Sequence, residues 1–308
     1  MPRITYVSWP AAEITGGIKA IFQHVELLLE AGLHAAVATP DGQRPAWFET
    51  AAPVLALDAI RAEDVLVFPE NNPQFLERFA AAPQRKLVFC QNPYYVFQGL
   101  AGRRSYADFG VSALLAASHT VVQFAHRRFP QLPVHYTPFF IDERRFGPPA
   151  RKVLQIACIP RKRPLEMGAL HDLFRGAYPQ YAGLTWQVLQ GATEAQVAQV
   201  LGQSAVYLSL ARLEAHGMTT LEAMASGCIV AGFCGVAGGS DSATAANGFW
   251  AAEDDVIGAA DRLAQAVQLA ATGGPAYETM VAAGVETAWR YRREEAARRL
   301  VEFWRAFA

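Results

Sequence analysis

The sequence predicts an α/β protein built of two doubly wound domains. Three features point to it: apolar runs of strand length alternate with helical patterns, the alternation forms two series, and a Gly-Pro-Pro break separates them. At 308 residues, 52% hydrophobic and 18% charged, the chain is long enough for two cores and too apolar for disorder.

The first series runs through Ile4 to Ser8, His34 to Thr39, Val65 to Pro69, Leu87 to Cys90, Ala113 to Ala117 and Val134 to Tyr136. Between its first two strands, Ile18 to Ala31 carries Ile21, Phe22, Val25, Leu28 and Leu29 on one stripe and ends at Gly32, the pattern of an amphipathic helix lying on a sheet. Gly147, Pro148 and Pro149 then mark a boundary, giving domains 1–148 and 149–286. The second series is Val153 to Cys158, Thr185 to Leu189, Ala205 to Leu210 and Ile229 to Gly232. Ligands of such sheets bind beyond the carboxyl ends of the strands, so two facing sheets predict an active site in an interdomain cleft. A tail, 287–308 within the helical pattern Val285 to Ala308, places Ala288, Trp289, Arg292, Ala296, Leu300, Phe303, Trp304 and Phe307 at helical spacing. It either docks that face on the protein or, with six arginines beside the aromatics, lies on a membrane surface; four glutamates favour docking.

Several function classes are excluded by composition. Net charge is −1, with 13 basic and 13 acidic residues through Pro149, so no basic field is offered to nucleic acid. Cys90, Cys158, Cys228 and Cys234 lie in or beside apolar runs and read as reduced thiols, not as a disulfide framework or metal set. Glu13 interrupts the amino terminus before a signal-like core develops, and no run approaches the roughly 18 apolar residues of a membrane span. The expectation is a soluble cytoplasmic protein. Glu253, Asp254 and Asp255 form the one dense acid group, but they precede a helix from Val256, where acids complement the dipole; no metal site is expected.

The chemistry concentrates in residues 205–232, AVYLSLARLEAHGMTTLEAMASGCIVAG. A strand, a polar loop, a helix from Met218 and a second strand follow one another, and Gly227 marks the helix end. Glu214 falls in the loop and Glu222 just over one turn into the helix. Gly217 lets a ligand reach the backbone, and the N–H groups of Met218, Thr219 and Thr220 form the positive end of the helix dipole. A phosphate suits that end. Carboxylates beside it repel phosphate and suit hydroxyl groups instead, and a sugar joined to a nucleoside diphosphate offers both.

This E-x7-E spacing followed by LEAMASG resembles the donor site of retaining glycosyltransferases of the GT-B class, family 4. The resemblance implies the GT-B architecture, with the last helix crossing back to the amino-terminal domain. It implies that Glu214 contacts the donor sugar, Glu222 the ribose, and the Gly217 to Thr219 backbone the diphosphate. Thr15, Gly16 and Gly17 after the first strand, with Lys19 following, are similar to the family's glycine loop. In PRKRP, Arg161, Lys162 and Arg163 precede Pro164 at the first position of a helix, where cations oppose the dipole unless an anion is present. Lys162 matches the family's diphosphate lysine. The family's arginine falls here on Ile156 or Ala157, so either Arg161 or Arg163 substitutes for it.

On the acceptor side, Gln91, Asn92 and Tyr94 follow a strand with groups that hydrogen-bond hydroxyls without adding charge. The family's histidine is missing there; His119 reads as a helix-start residue and His216 as filling for an aromatic position. The activity implied is transfer of a hexose, with retention, from a nucleoside diphosphate sugar to an acceptor hydroxyl, with no metal or cofactor. The alternative is a catalytically silent relative that binds a sugar nucleotide or a partner enzyme.

Overall fold

The computed structural model describes residues 2–149, 151–236 and 239–307. Two compact units emerge, Met1–Phe140 with Glu294–Ala308, and Ile141–Arg293. Their division falls ahead of the Gly-Pro-Pro boundary for a local reason. The Gln23 amide donates to the Phe140 carbonyl at 2.9 Å, fixing Phe140 to the first unit, whereas the Ile141 N–H donates to the Tyr291 carbonyl at 2.8 Å within the second. Pro148 packs inside the second unit, 3.1 Å from where a Cβ on Gly227 would stand.

The first unit contains β1 (Ile4–Val7), α1 (Gly16–Glu30), β2 (Ala35–Thr39), β3 (Val54–Ala56), β4 (Val65–Pro69), α2 (Pro73–Phe79), β5 (Arg85–Cys90), α3 (Val96–Leu100), β6 (Val111–Ala116), α4 (His119–Arg128) and β7 (Val134–Tyr136). The strands form one parallel sheet in the order β3-β2-β1-β4-β5-β6-β7. Strands buried on both faces, such as the fully buried ITYV of β1 and VLVFP of β4, account for the continuous apolar runs that mark them in the sequence. Strand order reverses between β1 and β4, so the loops after these two strands diverge and leave a crevice at their carboxyl ends.

The second unit contains β8 (Val153–Cys158), α5 (Pro164–Ala177), β9 (Trp186–Val188), α6 (Glu194–Gln203), β10 (Ser204–Leu210), α7 (Met218–Ala225), β11 (Ile229–Phe233), α8 (Gly239–Ser242), β12 (Gly248–Ala251), α9 (Val256–Thr272) and α10 (Gly274–Trp289). Its parallel sheet runs β12-β11-β10-β8-β9, reversing between β8 and β10. α5 packs with α9, and α7 with α6 and α10, so helices cover the sheet and close a core around Ile156, Leu170, Phe174, Val206, Leu208 and Leu263.

The tail is two helices, not the one its spacing predicts. α10 ends at Trp289 and α11 (Arg293–Phe307) begins after a break in which Arg292 forms a parallel bridge with Ile141. That pairing takes the backbone out of helical conformation. The apolar stripe of α11 then docks on the first unit: Trp304 meets Tyr6, Phe303 meets His135, and the Arg85 guanidinium lies over the Phe307 ring. Among the described residues, no helix is long and apolar enough to cross a membrane.

Candidate active site

Both strand-order reversals carry the polar residues that the sequence singles out. In the second sheet the loop after β8 supplies Arg161, Lys162 and Arg163, and the loop after β10 supplies Ala211 to Gly217. These two loops are tied together. The Lys162 ammonium donates to the carbonyls of Arg212 and Leu213, each at 3.1 Å, and to Glu214 Oε1 at 2.7 Å. An ammonium has three N–H donors, and these three partners use them all. Burial lowers the Lys162 pKa from the ordinary lysine value; the Glu214 carboxylate opposes that shift, and Arg161 adds to it.

Leu213 stands at φ +38°, a left-handed conformation uncommon for a side chain of its bulk. Such a backbone persists only when its surroundings hold it, and its cost is on the order of 1–3 kcal/mol. The Lys162 bond to the Leu213 carbonyl supplies part of that hold and presents Glu214 at the edge of the loop.

Gly217 is the N-cap of α7 at φ +69°, and no side chain caps the helix. The N–H groups of the first turn therefore face whatever lies beyond them, with the dipole's positive end. The start of the helix is fixed to the sheet, because Thr220 Oγ1 and Ser209 Oγ lie 3.0 Å apart. Glu222, only 5% exposed, follows in the same helix. Burial pushes the Tyr207 phenol well above its ordinary pKa, and the Cys158 thiol, Glu222, Glu214 and Cys228 push it further. Both glutamates thus lie within electrostatic reach of one buried group of β10. His216 is buried with its ring 4.7 Å from that of Tyr291, consistent with filling space.

Arg163 has partners that local sequence does not foretell. Its side chain is completely buried and lies over the Phe233 ring; it donates to the Ala211 carbonyl at 3.0 Å and pairs with Glu166, Asp254 and Glu253. The anion that its position before α5 demands is supplied by the chain itself. Arg163 accordingly braces the loop after β10, with its guanidinium engaged inside the fold. Of the acids ahead of α9, Asp255 caps the helix as expected by accepting from Gly258 N at 2.8 Å, while Glu253 and Asp254 pair with Arg163. The hydrogen bond from Arg163 lowers the Asp254 pKa, whereas burial raises that of Glu253 against the opposing pull of the guanidinium. Among the described residues, no group of three or more His, Cys, Asp or Glu is arranged to hold a metal ion.

In the first unit, Thr15 caps α1 by accepting from Ile18 N at 3.3 Å, so Gly16 and Gly17 open the helix. A Cβ on Gly17 would come 3.3 Å from Gln91 Oε1, which places the glycine loop against the residue after β5. Asn92 is buried and turns the following chain by accepting from Tyr94 N at 3.0 Å; Tyr94 is 38% exposed. Gly16, Gly17, Gln91 and Asn92 therefore gather at one end of one sheet. His119, its ring 4.2 Å from that of Tyr136, follows the Ser118 cap at the start of α4. Sequence reasoning passed over Glu70, which follows β4 at the reversal and is 2% exposed. Its signal was a lone acid placed directly after a run of five buried residues.

Solved structures share this arrangement of parallel sheets. Sucrose-phosphate synthase from Thermosynechococcus elongatus superposes with a TM-score of 0.70 at 14% identity, covering 100% of this chain and 99% of that one. Anabaena HepE in complex with UDP and glucose gives 0.70 at 13% identity, covering 99% of this chain and 100% of that one. The fold is of the GT-B type. A longer GT-B protein, S. aureus TarM in a complex that contains UDP, gives 0.63 at 12% identity over 80% of this chain, which spans 56% of its length. At the level of sequence, the alpha-1,6-glucosyltransferase of Actinobacillus pleuropneumoniae serotype 7 (strain AP76) is 27% identical over 230 residues, 72% of this chain and 69% of that protein. No protein-family model matches the chain.

Proposed function

We propose that this GT-B protein is a retaining glycosyltransferase, family 4-like, that moves a hexose from a nucleoside diphosphate sugar to an acceptor hydroxyl. The observation that carries this reading is the meeting of Lys162, Glu214 and the uncapped start of α7 at the β8/β10 reversal. Similarity to an alpha-1,6-glucosyltransferase and to a GT-B protein solved with UDP and glucose supports a UDP-hexose as the first donor to test.

The hard event is cleavage of the bond from C1 to the diphosphate oxygen, in which negative charge grows on the leaving group. Preorganised donors aimed at that oxygen lower the barrier most. In this reading the Met218 and Thr219 N–H groups, Lys162 and Arg161 receive the diphosphate, Gly217 admits it, and Glu222 holds ribose hydroxyls. Because all three Lys162 donors are engaged, a diphosphate oxygen has to displace one partner. Glu214 is that partner: it is the side chain of the three, the others being backbone carbonyls, and its release frees the carboxylate for hydroxyls of the donor sugar. Gly16 and Gly17 let the donor approach the backbone, and Gln91, Asn92 and Tyr94 receive the acceptor. The positive charge that neutralises the leaving group comes from side chains and the helix, so the reaction requires no metal.

The test is incubation with UDP-, GDP- and ADP-hexoses and mixed acceptors, with and without EDTA, following nucleotide release and the anomeric configuration of the product. The expected result is release from one donor class, unaffected by EDTA, with an α-linked product from an α-linked donor. An inverted product would contradict retention. Binding with no turnover on any acceptor would favour the catalytically silent relative, a reading to which the diversion of Arg163 into the fold lends weight.

A further inference from the structure

Glu70 is a buried acid in a place where the fold has no use for one. It stands at the β1/β4 reversal, where a doubly wound sheet admits ligands. Its backbone is clamped: the Tyr106 hydroxyl donates to the Glu70 carbonyl, and a Cβ on Gly99 would overlap that same oxygen. Its carboxylate Oε1 accepts the Asn92 N–H at 2.9 Å, at the start of the loop that carries Asn92 and Tyr94. The other oxygen, Oε2, is buried without a hydrogen-bond partner, as are Asn71 Oδ1 and Gln91 Nε2. Leaving such atoms unpaired is costly, and a glutamine or an apolar residue would fill this position without a buried charge.

We propose that Glu70 is a positioning residue, which holds the Gln91 to Tyr94 loop through the Asn92 amide and sets how well that loop receives an uncharged polyhydroxyl acceptor. This rests on the acceptor role given to the loop above. An ionised carboxylate makes a charge-assisted bond to the amide, roughly twice as strong as a neutral one, so ionisation firms the loop and protonation loosens it. A carboxylate here also disfavours an acceptor carrying negative charge nearby.

Burial raises the pKa of Glu70 to about 7, against the pull of the Glu70, Gln91 and Asn92 backbone N–H groups, so the two states exchange within the neutral range. The titratable groups its charge reaches are the Cys90 thiol on β5 and the Tyr106 phenol. Burial raises both well above their ordinary values, so they stay neutral there, and α3 carries no titratable residue. In the folded chain the carboxyl keeps its proton where the unfolded one, near 4.5, has lost it. Its contribution to stability is therefore present at low pH and is lost as pH rises through about 7.

The decisive comparison is wild type with Glu70→Gln, which keeps an acceptor for the Asn92 amide but cannot ionise. Two readouts are taken between pH 5.5 and 8.5: the Asn92 amide resonance by NMR, and KM for acceptor and donor. In wild type the Asn92 resonance should titrate with a midpoint near 7, and acceptor KM should rise several-fold as pH falls through it, while donor KM stays flat. In Glu70→Gln both pH dependences should vanish, with acceptor KM fixed near the wild-type low-pH value. Its thermal midpoint should exceed the wild-type one by the widest margin above pH 7, and that margin should shrink as pH falls toward 4.5, which confirms folding. An Asn92 resonance that does not titrate, or a wild-type acceptor KM profile preserved in the variant, overturns the proposal. A titrating resonance with a flat acceptor KM reduces Glu70 to a structural role and overturns it equally. Absence of any transfer by wild type defeats the transferase reading instead, and the NMR arm still decides whether Glu70 governs the loop.

Discussion

Lys162→Ala is expected to lower kcat by about two to three orders of magnitude at saturating donor, the loss typical of removing one preorganised donor from a developing negative charge. Two effects combine in this residue. Its ammonium pairs with Glu214 at 2.7 Å, and its bonds to the Arg212 and Leu213 carbonyls hold a strained backbone. Removing it takes charge from the diphosphate and lets Leu213 relax out of its positive φ, which displaces Glu214. Because Glu214 loses its neutralising partner in the same step, repulsion between that carboxylate and the diphosphate should raise donor KM as well. Steady-state kinetics on the variant, with circular dichroism to confirm the fold, measures both parameters. Turnover close to wild type would remove Lys162 from the chemistry.

Arg163→Ala is expected to produce the largest loss of stability among the site residues, about 2–5 kcal/mol, the range for emptying a large buried side chain. Most of this is the cavity over Phe233 and the stranded Ala211 carbonyl. Less comes from the acids, since the Glu253 and Asp254 side chains are 32% and 60% exposed and rehydrate once released. Arg163→Lys keeps the charge but loses the planar fork that serves Ala211, Glu253 and Asp254 together, so it should recover only part of the loss. Chemical denaturation of the three proteins tests this order. If Arg163→Ala were as stable as wild type while nucleotide binding collapsed, the guanidinium would be a ligand after all.

The fate of Arg163 shows where local reading of the sequence ran out. Three cations ahead of Pro164 oppose the α5 dipole, and the need for an anion was legible from that alone. The anion's source was not, because Glu253 lies 90 positions away and reaches Arg163 only through the packing of α5 against α9. Similar reasons explain the missed elements. β3 and β12 are edge strands of three and four residues, half-buried at every position but Gly248, so neither has the length or the burial on both faces that marks β1 or β4. The break between α10 and α11 depends on a bridge to Ile141, a pairing invisible in helical spacing.

Features fixed by local chemistry were legible. Gly217 and Gly227 both adopt positive φ, +69° and +75°, at the two ends of α7, and Pro164 opens α5. The pairing of Lys162 with Glu214 was not legible, because it depends on a strand order that brings the loops after β8 and β10 side by side. Glu70 escaped notice because a single acid after a strand resembles a solvated loop residue until its burial is known.

The central claim is that a nucleoside diphosphate is held at the β8/β10 reversal with Glu222 on its ribose. Calorimetric titration of UDP and of its 2′,3′-dideoxy analogue into wild type and Glu222→Gln tests it most directly. A buried hydrogen bond to a charged group contributes about 1.5–3 kcal/mol, so wild type should prefer UDP by roughly tenfold or more, and the variant should lose most of that preference. An undiminished preference in Glu222→Gln, or wild type that binds neither ligand, would contradict the account.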